Sequence, residues 1–216
     1  MPLVTTDALV LHAFDYRETS RIVRLVTREL GVASVIARGA RRPKNKFGAA
    51  LDLFASGDVQ LTTTPGRDLH SLMSFEATHS RPELAESLDR FAAAAALAEL
   101  LLRFAPEDAD PGLLDTVTDA LDSLCQAPPG AAGPVALGGA WRLVADLGFA
   151  PTLDGCALCH AALDAGAAVS FHHRAGGALC ASCASQARGA RTLPQAARDA
   201  LRSWLGQQAS PALDEP

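Results

Sequence analysis

Hydrophobic and polar positions alternate through much of the first 80 residues of the chain. Five segments combine this alternation, or a short apolar run, with β-branched residues: 8–14, 21–27, 32–38, 58–64 and 69–77. Gly31 and the Pro65-Gly66 pair mark turns between some of them. Five short strands predict a small closed or partly open β-barrel of the OB type, although an open meander sheet fits the pattern almost as well.

A helical pattern replaces this alternation near Ser80. Ser80 and Glu83 have the spacing of a capping box, which predicts a helix from Ser80 to about Phe104. Asp110 and Pro111 then begin a second helix, whose leucine and valine positions recur on one face.

The remainder of the chain carries linker and helix signals. Residues 127–134 form a linker by composition, a third helix ends near Gly148, and residues 192–195 repeat the capping-box spacing before a last helix. We therefore expect an α+β multidomain fold, with a barrel domain at residues 1–80 and an α-helical domain at residues 81–216.

Four of the five cysteines form two CxxC pairs, and twenty residues separate the pairs. This spacing is typical of a zinc ribbon, in which four thiolates complete a closed tetrahedral shell around one ion. Cys125 is left over and is expected to pack as a small buried hydrophobe. We predict one structural Zn²⁺ per chain in a ribbon at about residues 152–188, held by Cys156, Cys159, Cys180 and Cys183.

Other roles for the paired cysteines fit the sequence less well. The N-terminus has no secretory signal pattern and no long apolar run exists, so we expect a cytoplasmic protein with no membrane partner. That compartment disfavours disulfides, and two paired motifs disfavour a redox role. A catalytic zinc site keeps an open position, and the H-x-E triplet of zinc deaminases is absent. His160, His172 and His173 are alternative ligands.

Charge is distributed unevenly along the chain. The formal net charge is −5, yet residues 1–80 are net +2 and residues 81–216 are net −7. Five of the nine residues from Arg38 to Lys46 are cationic and none is acidic. A solvated loop is the simplest interpretation, but such a cluster in an acidic chain also predicts a polyanionic partner. Glycine motifs for nucleotide phosphates are absent, so a nucleic-acid backbone is the better target.

Further arginines precede this segment, and some of them are expected to pair with Asp15 or Glu18. Among nearby aromatic residues, Phe14 and Phe54 are assigned to the core, which leaves Tyr16 and Phe47 as candidates for base stacking. The predicted DNA-binding residues are Arg17, Arg21, Arg24, Arg38, Arg41, Arg42, Lys44 and Lys46.

Two stretches of the first half resemble the RecO recombination mediators. They are ALVLHAFDYRETSRIVRLVTRELG (residues 8–31) and VIARGARRPKNKFGAALDLF (residues 35–54). The element at Tyr16–Ile22 and the GARRPK segment at Gly39–Lys44 are specific in combination, and the resemblance continues through the helical and cysteine-rich regions.

The resemblance implies a non-enzymatic mediator with an N-terminal OB-fold, an α-helical domain and a zinc ribbon. Such a protein binds single- and double-stranded DNA, anneals complementary strands and, with RecR, helps to load RecA onto DNA coated by single-stranded-DNA-binding protein (SSB). It also implies that the acidic C-terminal tail of SSB docks on the helical domain, where Arg90, Arg103 and Arg142 are available. The alternatives are a zinc-ribbon nucleic-acid-binding adaptor in transcription or RNA metabolism and, in the enzyme class, a zinc-dependent hydrolase or deaminase.

Overall fold

The structure is a computed structural model that describes residues 2–42, 47, 50–63, 66–106 and 109–206. The chain divides into two compact units, Met1–Leu143 and Val144–Pro216. The boundary predicted at residue 80 coincides with the end of the barrel strands, and the division into domains there stays a prediction. No helix of the described ranges combines the length and apolarity that crossing a membrane requires.

The first unit begins with a closed barrel of five strands in the order β1-β2-β3-β5-β4. Pairing is antiparallel everywhere except between β3 and β5, which run parallel and close the barrel. The predicted barrel is therefore confirmed, and the open meander sheet is not formed. The strands are β1 (Leu3–Tyr16), β2 (Ser20–Thr27), β3 (Gly31–Ala37), β4 (Ser56–Thr62) and β5 (Leu69–His79).

The alternating hydrophobic and polar residues of the sequence face the inside and the outside of this barrel in turn. Along β3, buried and half-buried residues alternate at every position. Two aromatic assignments were wrong: Phe14 is 43% exposed, whereas Phe47 is only 3% exposed and packs in the barrel core. Phe54 is buried, as predicted. Phe47 is therefore unavailable for stacking on a base.

The segment after the barrel does not use the capping box predicted at Ser80. A short 3-10 turn, Pro82–Glu86, comes first, and the helix α1 (Leu88–Phe104) begins only after Ser87, whose backbone is extended. Arg81 occupies the cap position of the 3-10 turn, and its side chain is fully buried. The start of the helical segment is therefore fixed by a buried arginine and not by a serine hydroxyl.

The next two helices are α2 (Pro111–Gln126) and α3 (Ala132–Val144). Helix α2 begins at the Asp110-Pro111 pair, as predicted. Asp110 also caps it, because its carboxylate accepts a hydrogen bond from the backbone N–H of Gly112 at 2.9 Å. The predicted linker at residues 127–134 is shorter than expected, since α3 already begins inside it. Cys125 is half-buried, and burial raises the pKa of its thiol.

The second unit contains a three-stranded antiparallel sheet in the order β7-β6-β8. Between the two cysteine pairs, β6 (Val169–His172) and β7 (Gly177–Leu179) form an antiparallel hairpin, which is followed by the short helix α4 (Ala181–Gln186). Strand β8 (Arg191–Leu193) was not predicted, and it takes up Thr192 of the second capping-box pattern. The last helix, α5 (Gln195–Trp204), therefore begins after Pro194 without a side-chain cap.

Candidate metal centre and nucleic-acid groove

The two CxxC pairs converge in the second unit. One sulfur from each cysteine lies within 4.8 Å of the sulfurs of the other three, and Cys159 Sγ and Cys180 Sγ are 3.7 Å apart. A tetrahedral zinc site with Zn–S bonds of about 2.3 Å requires sulfurs about 3.8 Å apart. The four residues brought together are those predicted from spacing: Cys156, Cys159, Cys180 and Cys183.

The electrostatics of this cluster favour a cation at its centre. Backbone N–H groups of Cys159 and Cys180 donate to the Cys156 sulfur and lower the pKa of that thiol to about 6. The neighbouring sulfurs, Cys180 first, raise the pKa of Cys183 to about 12. Four thiolates this close repel one another, so the full set ionises only around a positive ion. The cluster can therefore hold a metal ion.

Backbone contacts place the first cysteine pair beside the sheet. The N–H of Ala157 donates to the carbonyl oxygen of Ala178 in β7 at 2.8 Å, and the N–H of Cys156 donates to the carbonyl oxygen of Ala161 at 2.8 Å. Thr152 pairs with Gly177, where a Cβ atom would collide with the Thr152 backbone. Glycine at position 177 is thus required for the first pair to reach the second.

Two arginines of α5 hold the loop that leads to the first cysteine pair, and neither was predicted from the sequence. Arg198 is completely buried and donates from Nη2 to the carbonyl oxygen of Leu153 at 2.8 Å. Arg202 forms an ion pair with Asp154 and donates to the carbonyl oxygen of Ala165 at 3.1 Å. Their spacing of four residues could have indicated a shared role, because it places both arginines on one face of the helix.

The histidines named as alternative ligands are not part of this sulfur cluster. His172 instead bridges two loops: its Nε2 lies 3.2 Å from the carbonyl oxygen of Arg188, and its Nδ1 accepts from the N–H of Ala175 at 3.2 Å. With Nδ1 as the acceptor, Nε2 is the nitrogen that faces the Arg188 carbonyl as a donor.

A groove of about 880 Å³ opens on the barrel in the first unit. It lies between the β1–β2 turn, the end of β3 and the loop that leads into β5. Three arginines and Tyr16 line this groove. Its lining also includes one acidic residue, Glu18. Such a surface offers guanidinium forks to phosphates and an aromatic ring to a base. The arginines are Arg17, Arg38 and Arg67.

The groove arginines differ in how they are held. Arg17 has a positive φ of 54° and its guanidinium carbon lies 5.2 Å from the centre of the Tyr16 ring. Arg38 donates from Nη1 to Ser71 Oγ at 3.2 Å. Arg67 is exposed on the loop before β5. Arg67 was missed from sequence because it stands alone in its segment, and only the barrel closure brings it to the others.

Two other predicted DNA-binding arginines are engaged by one carboxylate. Arg21 Nε and Arg41 Nε each lie 3.1 Å from an oxygen of Asp15. Arg41 also donates to the carbonyl oxygens of Arg17 and Glu18, both at 3.3 Å. Arg41 therefore fixes the turn that carries Arg17.

Among the described residues, Arg24 and Arg42 are not part of the groove lining. Arg24 is half-buried on β2, and its Nε has no hydrogen-bond partner among the described residues. Arg42 is exposed, with its side chain beside Gly39. Lys44 and Lys46 lie outside the described residues.

Comparisons with known proteins match both parts of the chain. The family described as "Recombination protein O N terminal" matches residues 1–81, and "Recombination protein O C terminal" matches residues 85–213. Curated relatives named DNA repair protein RecO are similar over most of the chain.

The relative from Rubrobacter xylanophilus is 34% identical over 187 residues, which cover 87% of this chain and 74% of that protein. The relative from Anaeromyxobacter sp. (strain K) is 38% identical over 200 residues, covering 91% and 76%. The relative from Symbiobacterium thermophilum is 34% identical over 210 residues, covering 95% and 81%.

Proposed function

Since this chain belongs to the recombination protein O family of DNA repair proteins, we propose that it is a non-enzymatic mediator that binds DNA through the arginine groove of its barrel. The observation that carries the proposal is the convergence of Arg17, Arg38 and Arg67 beside Tyr16 in one groove. These arginines come from three separate parts of the barrel. If the basic segment were only a solvated loop, there would be no reason for arginines from other segments to gather beside it.

The groove suits a polymeric phosphate more than a small molecule. It is open, and its three arginines come from three different segments of the lining, so more than one phosphate of a strand can meet a guanidinium group. Tyr16 supplies a stacking face that tolerates any base. Binding is therefore sequence-tolerant and extends to single- and double-stranded DNA. Lys44 and Lys46 remain further phosphate ligands in this proposal.

The role of the metal follows from its ligand set. We assign Zn²⁺, one per chain, because a shell of four cysteine thiolates is its preferred structural site, and the four sulfurs lie within 4.8 Å of one another. That shell leaves no position for water or substrate, so the ion stabilises the second unit and supplies no chemistry. The protein therefore acts by binding.

The partners in this proposal come from the family. The protein anneals complementary strands and, with RecR, helps to load RecA onto SSB-coated DNA, in the bacterial cytoplasm and at the nucleoid during repair. For the SSB tail, the helical segment offers Arg142, which makes no hydrogen bond or ion pair with another described residue. Arg90 and Arg103 are already engaged, by the carbonyl oxygen of Ala127 and by Glu99.

The groove assignment is tested by replacing Arg17, Arg38 and Arg67 together by Ala in the full chain. Fluorescence anisotropy with a labelled single-stranded oligonucleotide gives affinity as a function of salt. The slope of log K against log salt should fall in magnitude by about 0.7 for each phosphate that the variant no longer neutralises. The matched variant with Lys at the same positions should keep most of the slope. An Ala variant that is folded and binds with unchanged affinity and slope would overturn the proposal.

A further inference from the structure

The second unit carries its own concentration of positive charge. No acidic residue occurs between Asp164 and Asp199, a stretch that contains four arginines. One of them, Arg198, is buried in the α5 contacts described above. The other three are exposed: Arg174, Arg188 and Arg191.

The sheet topology brings these three arginines to one end of the sheet. Strand β6 ends at His172, and the antiparallel β7 and β8 begin beside that end, at Gly177 and Arg191. Arg174 lies in the turn that follows β6, and Arg188 precedes β8. Three arginines that are distant in sequence therefore share the end of the sheet at which β6 finishes.

His172 fixes the backbone near Arg174 relative to the backbone at Arg188. Its ring accepts from the N–H of Ala175, beside Arg174, and contacts the backbone carbonyl of Arg188 itself. In addition, Arg191 stands directly opposite Phe171 in the β6–β8 register, so both side chains lie on one face of the sheet. The half-buried Phe171 thus lies beside Arg191, and the ring of the exposed His173 lies 5.5 Å from the ring of His172.

The nearby acidic groups do not neutralise this end of the sheet. Within the described part of the unit, Asp154 and Asp199 are paired with Arg202, and Asp164 accepts from the N–H of Gly166 at 2.9 Å. The fourth acidic residue there, Asp146, lies in the π-helical turn Ala145–Phe149 at the start of the unit. The three exposed arginines form no ion pair with any described residue.

The metal centre also carries negative charge, since four thiolates around one divalent cation leave a net charge of −2. Cys180 follows β7 at the opposite end of the sheet from Gly177, about 10 Å along the strand. That distance is about one Debye length at 0.1 M salt, so the centre only partly offsets the arginines.

We propose that this end of the sheet, formed by Arg174, Arg188 and Arg191, is a second phosphate-binding surface that contacts the backbone of a DNA strand. This inference rests on the proposed DNA-binding function and adds a surface on the metal-binding unit. Guanidinium groups near aromatic residues suit phosphates and unstacked bases together. An acidic protein would use the charges and leave the rings without a role. His172 is a positioning residue for the surface.

The test uses the full chain with Arg174, Arg188 and Arg191 replaced together by Ala, and a matched variant with Lys at all three positions. Anisotropy with the labelled single-stranded oligonucleotide is measured between about 50 and 200 mM salt. The slope for the Ala variant should fall by up to about 0.7 per arginine, roughly 2 in all, and the Lys variant should keep most of it. Retained zinc and an unchanged unfolding midpoint show that the unit is folded.

The outcomes separate this inference from the proposed function. If the barrel variant loses binding and the Ala variant of the second unit does not, the second surface is refuted and the barrel groove stands. If neither variant loses binding, the proposed function fails. If the second surface instead binds polyglutamate and its removal leaves DNA binding intact, it serves an acidic protein and the inference is wrong.

Discussion

Substitutions at Arg81 and at its partner Asp122 test how the barrel is joined to the segment that follows it. The Arg81 side chain is fully buried, and its Nε lies 2.6 Å from an oxygen of Asp122 in α2. Its Nη1 donates to the carbonyl oxygen of Phe54 at 2.7 Å and to Ser56 Oγ at 2.9 Å. The two partners of the ion pair differ in exposure, because the Asp122 side chain is 38% exposed.

This difference predicts unequal effects of removing the two partners. Asp122→Ala leaves a buried guanidinium without its carboxylate, which costs about 3 kcal/mol, the low end of the range for broken buried pairs. Arg81→Met leaves a carboxylate that water can reach and that already lies 3.3 Å from His79 Nε2. Two groups lose their donor: the buried Phe54 carbonyl, at about 1–2 kcal/mol, and the half-buried Ser56 hydroxyl, which costs less because it is only partly shielded from water. Replacing the more exposed partner should therefore destabilise more.

The assay is urea unfolding of the full chain followed by tryptophan fluorescence. The chain has two tryptophans, one in each unit, so a Trp204→Phe background leaves Trp141 to report on the first unit. Arg103→Ala is the control, since its exposed pair with Glu99 should contribute less than about 1 kcal/mol. A larger loss of stability for Arg81→Met than for Asp122→Ala would refute this reasoning about the buried charge.

Three further predictions concern the two candidate sites. Asp15→Asn should raise affinity for single-stranded DNA about 2- to 10-fold in the anisotropy assay, because the exposed pairs it releases are worth about 0–1 kcal/mol each; weaker binding would contradict this. Removing the metal with a chelator should abolish hydrogen-exchange protection in β6 and β7 and leave β1–β5 unchanged, and metal analysis before chelation should give close to one zinc per chain. Gly177→Ala should lower zinc retention, because the added Cβ collides with the Thr152 backbone. Gly176→Ala should retain the metal despite a φ of 78°, because its Cβ meets open space. Equal zinc retention in both variants would be inconsistent with the close approach of Thr152 to Gly177.

The parts of the fold that the sequence predicts depend on local and periodic signals. The alternation in β3 survives as alternating burial, because a strand in a barrel has one face inside. The four-cysteine cluster follows from spacing, because two CxxC turns separated by a hairpin can converge on one ion. Asp110 caps α2 through a hydrogen bond two residues away.

The features that escaped prediction depend on contacts between distant residues. Arg81 replaces the expected serine cap through partners that are 25 to 41 residues away. Phe47 fills the barrel core from a loop whose path cannot be inferred from alternation. Phe14 lies outside the core because the register of β1 shifts between Val10 and His12, which turns over the alternation of that strand. Strand β8 has only three residues, so its own sequence carries almost no signal. Arg67 joins the groove only because β5 closes the barrel beside β3.

The central claim, that DNA occupies the barrel groove, is tested most directly by hydrogen-exchange mass spectrometry of the full chain with and without a single-stranded oligonucleotide. DNA in the groove should add protection at the β1–β2 turn around residues 16–20 and in the loop and strand around residues 66–71, with little change in α1 and α2. Protection confined to the helices, with these two barrel segments unchanged, would contradict the claim.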